Sequence, residues 1–477
     1  MGFGKKKSGL SQVNAWIKAK SRKSMREKER KESTSTSVGN LTNEFLDFLD
    51  QTPSPWHVAA VSKKKLLQSG FVELKESQDW NIKPNMKFFF QREALTAAFV
   101  VGSDWKPGNE FCPVAGHIDS PGLRLRQKSD ISHDGSIKIS MEMYGGGLWH
   151  TWFDRELTLS GLAIIRTPSG QMEKKLVTLD RPVGSIPNLC VHLGVDELKD
   201  GFKPRKEDHM NMILGRSKTS DPKKEYPTSL IGKHPQELLL LIAQHLNVQA
   251  ADIVDLDLCF STYQNANVGG INDEYIYSGR LDNLTTCYEH FSANKTACSG
   301  IILYDHEEVG NTSSTGACSA ITEMALRRIS KSSENIFAYE QSMSQSFLLS
   351  CDMAHGLHPN YAEKHATNFK PNLGDALKYS VMQNFSSTAL GSTLVRQICE
   401  SADLPLVEMS AHQDQRCGQT LGPKVSANLG ILVADIGVSQ LAMHSCREMM
   451  AAKDVLHLST FFLSYFNNFA ALLRKHK

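Results

Sequence analysis

The sequence predicts an α/β protein, a mainly parallel sheet flanked by helices that is interrupted by a β-rich segment. In the last third of the chain, short apolar runs alternate with helical patterns, as where Ile301–Tyr304 precedes Ala317–Ile329. This alternation is typical of a parallel sheet covered by helices. Between Leu123 and Phe260, apolar and polar residues alternate at period two, as half-buried antiparallel strands require.

The predicted fold begins near Asn40. Apolar residues at helical spacing predict a first helix from Leu41 to Leu49. Ser54 and Pro55 supply an N-cap and a first helical residue for a second helix, which Gly70 ends. Three extended runs follow: Lys87–Gln91, Leu95–Val101 and Phe111–Ala115.

Within the β-rich segment, only Gln236–Leu246 has a clear helical pattern. The polar stretch Lys203–His234, with its Pro, Gly and Lys clusters, predicts a long loop. In the last third, Phe347–Cys351 and Gly430–Val433 are predicted strands, and a long helix is expected from about Ser445.

Composition excludes several classes of protein. The 477 residues are 40% hydrophobic and 22% charged, which is ordinary for a globular chain. No apolar run reaches the roughly 18 residues of a membrane helix, so no membrane association is expected. The 10 cysteines form no Cys-x-x-Cys pair, which argues against zinc ribbons and a disulfide framework and favours a reducing, cytoplasmic location.

The net charge of +2 is unevenly distributed. Residues 1–38 carry eleven Lys or Arg and three Glu, which leaves the rest of the chain acidic. A nucleic-acid partner is therefore not expected, because the basic charge is confined to one end. The composition of residues 1–38 predicts a basic, disordered extension, with a targeting helix as the alternative.

Potential metal ligands follow three predicted strands. His117 and Asp119 follow the first, Glu307 and Glu308 the second, and Asp352 the third. Because the carboxyl ends of parallel strands meet at one edge of a sheet, these side chains are expected to lie together.

Two further residues, Asp282 and His444, stand just before predicted helices. Taken singly, each of these residues also has an ordinary interpretation. Asp282 suits a helix N-cap, His444 a solvent-facing histidine and Glu307-Glu308 a solvated turn. The sequence lacks the zincin His-Glu-x-x-His, a Gly-x-Ser-x-Gly elbow and a phosphate-binding loop. Spacing alone therefore predicts no more than a metal-dependent hydrolase.

Eight segments in order add a resemblance that covers roughly residues 40–477. They are Gly116-His117-Ile118-Asp119-Ser120-Pro121, Tyr144-Gly145-Gly146-Gly147, Trp152-Phe153-Asp154-Arg155, Arg280-Leu281-Asp282-Asn283, Asp305-His306-Glu307-Glu308-Val309-Gly310, Asp352-Met353-Ala354-His355, His358-Pro359-Asn360-Tyr361 and Ala442-Met443-His444-Ser445. Together they closely resemble the aspartyl aminopeptidase family of dinuclear metallo-exopeptidases.

The resemblance implies a metalloprotease with two zinc ions per subunit. Mixed histidine and carboxylate ligands also tolerate cobalt or manganese. By position, the implied ligands are His117 and Asp352 on one ion, Glu308 and His444 on the other, and Asp282 bridging both. Glu307 would be the general base, and Asp119 would orient His117. Such a site would activate a water for attack on a peptide bond.

The family implies removal of N-terminal Asp or Glu from peptides, which needs a cation in the pocket. Lys378 falls where the substrate-binding lysine is expected, although the preceding segment is about two residues shorter here. The segment Gln415-Arg416-Cys417-Gly418-Gln419-Thr420 departs from the family pattern. A related dizinc aminopeptidase with neutral or broad specificity is therefore the alternative.

The resemblance also implies an assembly. Residues 39–121 and 268–477 would form the catalytic domain, and residues 122–267, called the insert below, a dimerisation or lid domain. His192 in the insert matches a histidine that binds substrate in a neighbouring subunit's active site. The family forms tetrahedral homododecamers built from dimers. A third hypothesis is a self-assembling cargo protein, delivered to a vacuole, whose enzymatic role is secondary.

Overall fold

The computed structural model describes residues 39–198, 201–216, 230, 232–288, 295–375, 377–380, 385–410, 412–415 and 418–476. The predicted N-terminal extension lies outside these residues. The described strands form sheets of nine, six and five strands. In chain order they are β1 (Val72–Glu73), β2 (Lys87–Arg92), β3 (Leu95–Val101), β4 (Phe111–His117), β5 (Gly122–Asp130), β6 (Ser136–Tyr144), β7 (Leu157–Arg166), β8 (Met172–Thr178), β9 (Met212–Arg216), β10 (Ile253–Thr262), β11 (Asn267–Gly269), β12 (Tyr275–Ser278), β13 (Cys298–Tyr304), β14 (Phe347–Cys351), β15 (Ala354–His355), β16 (Leu377–Ser380), β17 (Leu406–Met409), β18 (Leu432–Gly437), β19 (Ser439–Leu441) and β20 (Glu448–Ala451).

Helices pack on these sheets, and short 3₁₀ turns connect some of the elements. The helices are α1 (39–51), α2 (Pro55–Gln68), α3 (Val191–Leu198), α4 (Lys206–His209), α5 (Gln236–Leu246), α6 (Leu281–Cys287), α7 (Ile321–Ile329), α8 (Ala338–Gln345), α9 (Ala389–Ser401), α10 (Gly422–Leu429) and α11 (Lys453–Lys475). The 3₁₀ turns are Trp149–Trp152, Ala250–Asp252, Glu307–Val309 and Ala362–Lys364.

The nine-stranded sheet confirms the predicted fold class. Its order is β1-β2-β3-β13-β4-β14-β18-β16-β17, and the four central strands, β13, β4, β14 and β18, are mutually parallel. Strand β3 runs antiparallel to β13, and β16 antiparallel to β18, so the sheet is mixed towards its edges.

Helices cover both faces of this sheet, so β3, β4, β13 and β14 are buried along their whole length. On one face, Phe89 and Val100 join a core with α1, α2, α9 and α11; on the other, Phe88 and Phe99 join one with α7, α8 and α10. The continuous apolar runs of the sequence follow from this two-sided burial.

The predicted β-rich segment forms the six-stranded sheet, in the order β8-β7-β10-β5-β6-β9. All of its strand pairs are antiparallel. The alternating residues Ile139, Met141, Leu256 and Leu258 point into a separate core that α5 helps to form. Period-two alternation therefore identified these strands correctly.

The stretch 203–234 is not entirely a loop, because it contains α4 and β9. Strand β9 pairs with β6 from Met212 to Arg216, and Met212 is fully buried in the insert core. The predicted helix from Ala317 begins only at Ile321, since Asn311 accepts a hydrogen bond from the Cys318 amide and fixes the preceding turns.

The five-stranded sheet, β11-β12-β20-β19-β15, was not predicted. It corrects the C-terminal prediction: Glu448–Ala451 is strand β20, and the long helix begins at Lys453 rather than near Ser445. Met450 is completely buried and pairs with Ile276 of β12, so strand pairing overrides the helical propensity of this segment. His444 consequently precedes a strand, not a helix. Among the described helices, none is long and apolar enough to span a bilayer.

Candidate metal centre

Three neighbouring strands deliver ligands to one edge of the nine-stranded sheet. His117 is the last residue of β4, Asp352 follows β14 directly, and Glu307 and Glu308 lie in the 3₁₀ turn after β13. Because these strands are parallel, their carboxyl ends lie side by side. The topology therefore brings together the side chains that the sequence placed at strand ends.

Two more ligand candidates come from outside this edge. Asp282 lies near the start of α6, and His444 lies in the turn between β19 and β20. His444 has a φ of +66°, in the left-handed region that non-glycine residues rarely adopt. Arg280 and His306, at φ +62° and +65°, share this conformation close to the site. Such clusters of strained backbone are typical of functional sites.

Asp282 lies between two groups of side chains. Nε2 of His117 is 3.2 Å from Oδ1 of Asp282 and 3.4 Å from Oδ1 of Asp352. Nε2 of His444 is 3.3 Å from Oδ2 of Asp282 and 3.4 Å from Oε1 of Glu308. The two oxygens of Asp282 thus face different histidines, as a carboxylate that bridges two ions would.

The chemistry of this cluster suits divalent cations. In each of the two groups, one potential ligand atom per residue lies within 4.8 Å of the others, and His117, Glu307 and Glu308 form a third such group. Oδ1 of Asp282 is buried and accepts no hydrogen bond from a described residue. Several buried carboxylates beside two imidazoles leave negative charge uncompensated, which is costly unless cations bind.

The pKa values reflect this crowding. Burial raises the pKa of Asp352 to about 7, and the charge of Asp282 adds to the effect. Burial likewise raises the pKa of Glu307 to about 8. Burial opposes the charge of His444, but hydrogen bonds to Asp282 and Glu308 raise its pKa to about 11. Bound cations would oppose these effects, because they favour the charged carboxylates and the neutral imidazole.

Asp119 supports the site differently from the sequence prediction. Nδ1 of His117 donates to the backbone carbonyl of Asp119 at 2.9 Å, whereas the carboxylate lies 3.6 Å away. The carboxylate instead accepts hydrogen bonds from the backbone N–H groups of Glu307 and Glu308, at 3.0 and 3.1 Å. It therefore fixes the turn that carries both glutamates, while its own backbone fixes the imidazole.

Glu448 is a supporting residue that sequence reasoning missed. Its side chain is buried and accepts hydrogen bonds from the backbone N–H of His444 at 2.7 Å and of Asp282 at 3.2 Å. Burial, with the nearby charge of Asp282, raises its pKa to about 8. No sequence signal marks this role, because Arg447-Glu448 reads as an ordinary charged pair.

A cavity opens onto the ligand cluster. Its apolar lining residues are Met353, Phe385, Met409, Ile436 and Met443. Polar residues also line it, among them His355, Gln419, Thr420 and Asp435. His355 belongs to the segment Asp352-Met353-Ala354-His355, which also supplies the ligand candidate Asp352. Among the described residues that line this cavity, there is no lysine or arginine.

Of the two predicted substrate residues, His192 is not among the described residues that line this cavity. His192 lies on the exposed surface of α3, beside Val191 and Leu193, which are 60% and 74% exposed. Lys378 lies in β16, in register with Gly437 of β18, and its side chain is outside the described part of the chain. Arg416 also lies outside the described residues.

Comparison with known proteins agrees with this architecture. The sequence profile of the family described as "Aminopeptidase I zinc metalloprotease (M18)" matches residues 48–466. "Aspartyl aminopeptidase" of Dictyostelium discoideum is 35% identical over 472 residues, which cover 90% of this chain and 96% of that protein.

Solved structures match over most of the chain. The "Cryo-EM structure of the Ape4 and Nbr1 complex" contains a chain that is 33% identical, with a TM-score of 0.88, covering 92% of this chain and 87% of that one. The "Structure of S. cerevesiae mApe1 dodecamer" matches at 23% identity and a TM-score of 0.80, covering 91% and 98%. At that identity the likeness shows the fold alone.

Proposed function

The chain belongs to the M18 family of zinc metalloproteases and is an aminopeptidase; from that premise we propose that it removes N-terminal Asp or Glu from peptides at a dinuclear zinc centre. The observation that carries the proposal is the position of Asp282. Its two carboxylate oxygens face His117 and His444, and Asp352 and Glu308 complete the two groups.

In this proposal the protein side chains divide the work. His117 and Asp352 would hold one ion, Glu308 and His444 the other, and Asp282 both. Bound zinc would supply Lewis acidity and a water of lowered pKa, and cobalt or manganese would suit the same ligands. Glu307 would take the proton of the attacking water and pass it to the leaving amine. The Asp119 carboxylate would hold Glu307 in place by accepting a hydrogen bond from the backbone N–H of Glu307.

Metal counting tests the centre directly. We expect purified wild-type protein to hold two zinc ions per subunit by elemental analysis. Asp282→Asn should weaken both sites, because it changes the shared ligand, whereas His444→Ala should weaken only one. His133→Ala is the control, since His133 is an exposed histidine of the insert. Equal metal losses in Asp282→Asn and His444→Ala would contradict the bridging role.

The acidic preference depends on a cation in the pocket. Lys378 is the candidate, because β16 runs beside β18, whose residues Asp435 and Ile436 line the cavity. The alternative is neutral or broad specificity. It is favoured by the apolar lining residues Met353, Phe385 and Met409.

Turnover of Asp-, Glu-, Leu- and Lys-anilides separates the two specificities. We expect Asp and Glu substrates to be preferred. Lys378→Gln should remove that preference, whereas Lys175→Gln, a strand lysine of the insert, should not. A Leu preference in the wild-type protein would support the alternative and defeat the acidic specificity.

The proposed assembly is a homododecamer built from dimers through the insert, with peptides as the partners of the active site and neither nucleic acid nor membrane. The proposed location is the cytoplasm, and none of the nine described cysteines is in a disulfide. Vacuolar delivery as a cargo is the alternative. Deleting residues 1–38 and following the protein in cells tests it, and an unchanged distribution would count against delivery.

A further inference from the structure

The segment Tyr144-Gly145-Gly146-Gly147, called the glycine segment below, is a sequence motif to which the proposed chemistry assigns no role. It begins at the last residue of β6, so it belongs to the six-stranded sheet of the insert. It leaves that sheet and contacts the residues of the metal centre. The glycine segment therefore connects the six-stranded sheet of the insert with the metal centre at the edge of the nine-stranded sheet.

The first contact is made by the Tyr144 hydroxyl. This hydroxyl donates a hydrogen bond of 2.7 Å to Oδ2 of Asp119, a carboxylate that is completely buried. The guanidinium of Arg124 lies 3.7 Å from the centre of the Tyr144 ring and holds it by a cation–π contact. The same carboxylate accepts hydrogen bonds from the backbone N–H groups of Glu307 and Glu308. By fixing the carboxylate, Tyr144 therefore helps to position both glutamates.

The second contact concerns His444. Nδ1 of His444 donates to the backbone carbonyl of Gly146 at 3.3 Å, and the Leu148 N–H donates to the His444 carbonyl at 2.8 Å. A histidine whose Nδ1 carries the proton presents Nε2 as its ligand atom. That Nε2 faces Asp282 and Glu308.

The third contact is steric. Gly145 has a φ of +77°, and a Cβ built on it would lie 3.2 Å from Cβ of Glu308. Glycine therefore allows the insert backbone to approach the glutamate closely. Gly170, in the hairpin between β7 and β8, has a similar φ of +83° but nothing within 4 Å of its Cβ position. Alanine substitutions at Gly145 and Gly170 should therefore cause similar backbone strain, but only the one at Gly145 brings a new side chain against Glu308.

We infer that the glycine segment positions Glu308 and His444, so that the insert forms the outer support of the metal centre. The inference rests on the proposed dinuclear site. It makes Tyr144, Gly145 and Gly146 positioning residues, since none of them is a ligand. It also implies that contact with the insert adds to the support that Asp119 and Glu448 give to Glu308 and His444. Outer hydrogen bonds of this kind typically change metal affinity about 10–100-fold.

Titration of the metal-depleted full-length protein with Co²⁺, followed by visible absorption, tests the inference without relying on turnover. Wild-type protein should take up two ions. Tyr144→Phe and Gly145→Ala should each bind one or both ions about 10–100-fold more weakly. Tyr288→Phe and Gly170→Ala should bind as the wild type does, because Tyr288 donates to Glu44, away from the site.

The outcomes are distinguishable. Co²⁺ affinities of Tyr144→Phe and Gly145→Ala equal to wild type would overturn the inference and leave the proposed function intact. A wild-type protein that takes up no Co²⁺ would instead overturn the proposed metal centre, and this inference with it. Thermal unfolding of the metal-free variants shows whether they fold. If one of them does not, the other variant and its matched control decide the question.

Discussion

Glu307 is the residue whose chemistry the proposed reaction uses most directly. It lies in the turn held by Asp119, beside the ligand candidate Glu308 but outside the two groups that Asp282 joins. Burial raises its pKa to about 8, and nearby cations would lower that value, so that the carboxylate could accept a proton at neutral pH. A base of this kind acts on the water rather than on the metal.

Glu307→Gln should therefore keep its metal and lose its activity. We expect kcat to fall about 10²–10⁴-fold, because the amide cannot take up the proton. Zinc content and oligomeric mass should equal those of the wild type. Glu308→Gln, one residue away, is the matched comparison and should lose metal as well as turnover. Near-normal turnover in Glu307→Gln would remove it as the base.

His117, Glu308 and Asp352 could be proposed as ligands from the sequence, since their residue types and their places after strands are visible there. Asp282 and His444 stood only ahead of predicted helices, and the resemblance to a family supplied their proposed roles.

The residues that hold these ligands in place could not be predicted. Glu448 acts by accepting two backbone N–H groups, and Asp119 binds the glutamate turn in the same way. These hydrogen bonds join residues that are far apart in the sequence or lie in turns of unpredicted shape, so only the folded chain reveals them.

At the scale of elements, predictions held where burial alone decides the conformation. Strands β3 and β14 were predicted with their observed bounds, because both faces of the sheet are covered and the runs are continuously apolar. The prediction failed at Glu448–Ala451, which has good helix formers but pairs with β12 and β19. Long-range pairing of this kind overrides local propensity.

Helix α2 offers a prediction about acid stability, because it links the two larger cores. His57 on this helix is buried, with Nδ1 2.7 Å from Oγ of Ser54 and Nε2 2.6 Å from Oγ1 of Thr178, the last residue of β8. Burial, with the charge of Arg280 adding to it, lowers the pKa of His57 to about 4. The folded protein therefore keeps this imidazole neutral in a pH range where the unfolded chain protonates it.

Stability should consequently fall as the pH drops from about 6.5 towards 4, since the unfolded chain binds the extra proton there. His57 should contribute a loss of about 2 kcal/mol between pH 7 and 5. Urea unfolding gives the free energy of unfolding of wild type and His57→Gln at pH 7 and 5. The contribution of His57 is the difference between the two proteins in how much this free energy falls from pH 7 to 5. The exposed His133 provides the control variant His133→Gln, which should follow the wild type. An equal pH slope in His57→Gln and wild type would contradict the prediction.

At the scale of the whole molecule, one part of the insert lies at the active site of its own chain and another part lies on the exposed surface. The glycine segment approaches the metal centre of its own chain, whereas His192 lies on an exposed surface away from that cavity. The residues around His192 are apolar and solvent-exposed: Leu189, Val191 and Leu193 are 53%, 60% and 74% exposed. Clusters of exposed apolar side chains are typical of protein–protein interfaces.

If His192 acts in a neighbouring subunit, two inactive variants should restore activity together. In a two-fold symmetric pair, each active site would use its own Glu307 and the His192 of the other subunit. A His192→Ala subunit has an intact Glu307 but supplies no histidine to its neighbour, whereas a Glu307→Gln subunit supplies the histidine but lacks the base. A mixed pair then contains one site with both residues intact. Random co-assembly puts half of the pairs in this mixed state, so co-expression should recover about a quarter of wild-type turnover.

Each variant expressed alone should remain nearly inactive, and mixing after assembly should recover activity only as subunits exchange. Turnover that stays at the level of the separate variants, in pairs shown by mass to be mixed, would place the action of His192 within its own chain.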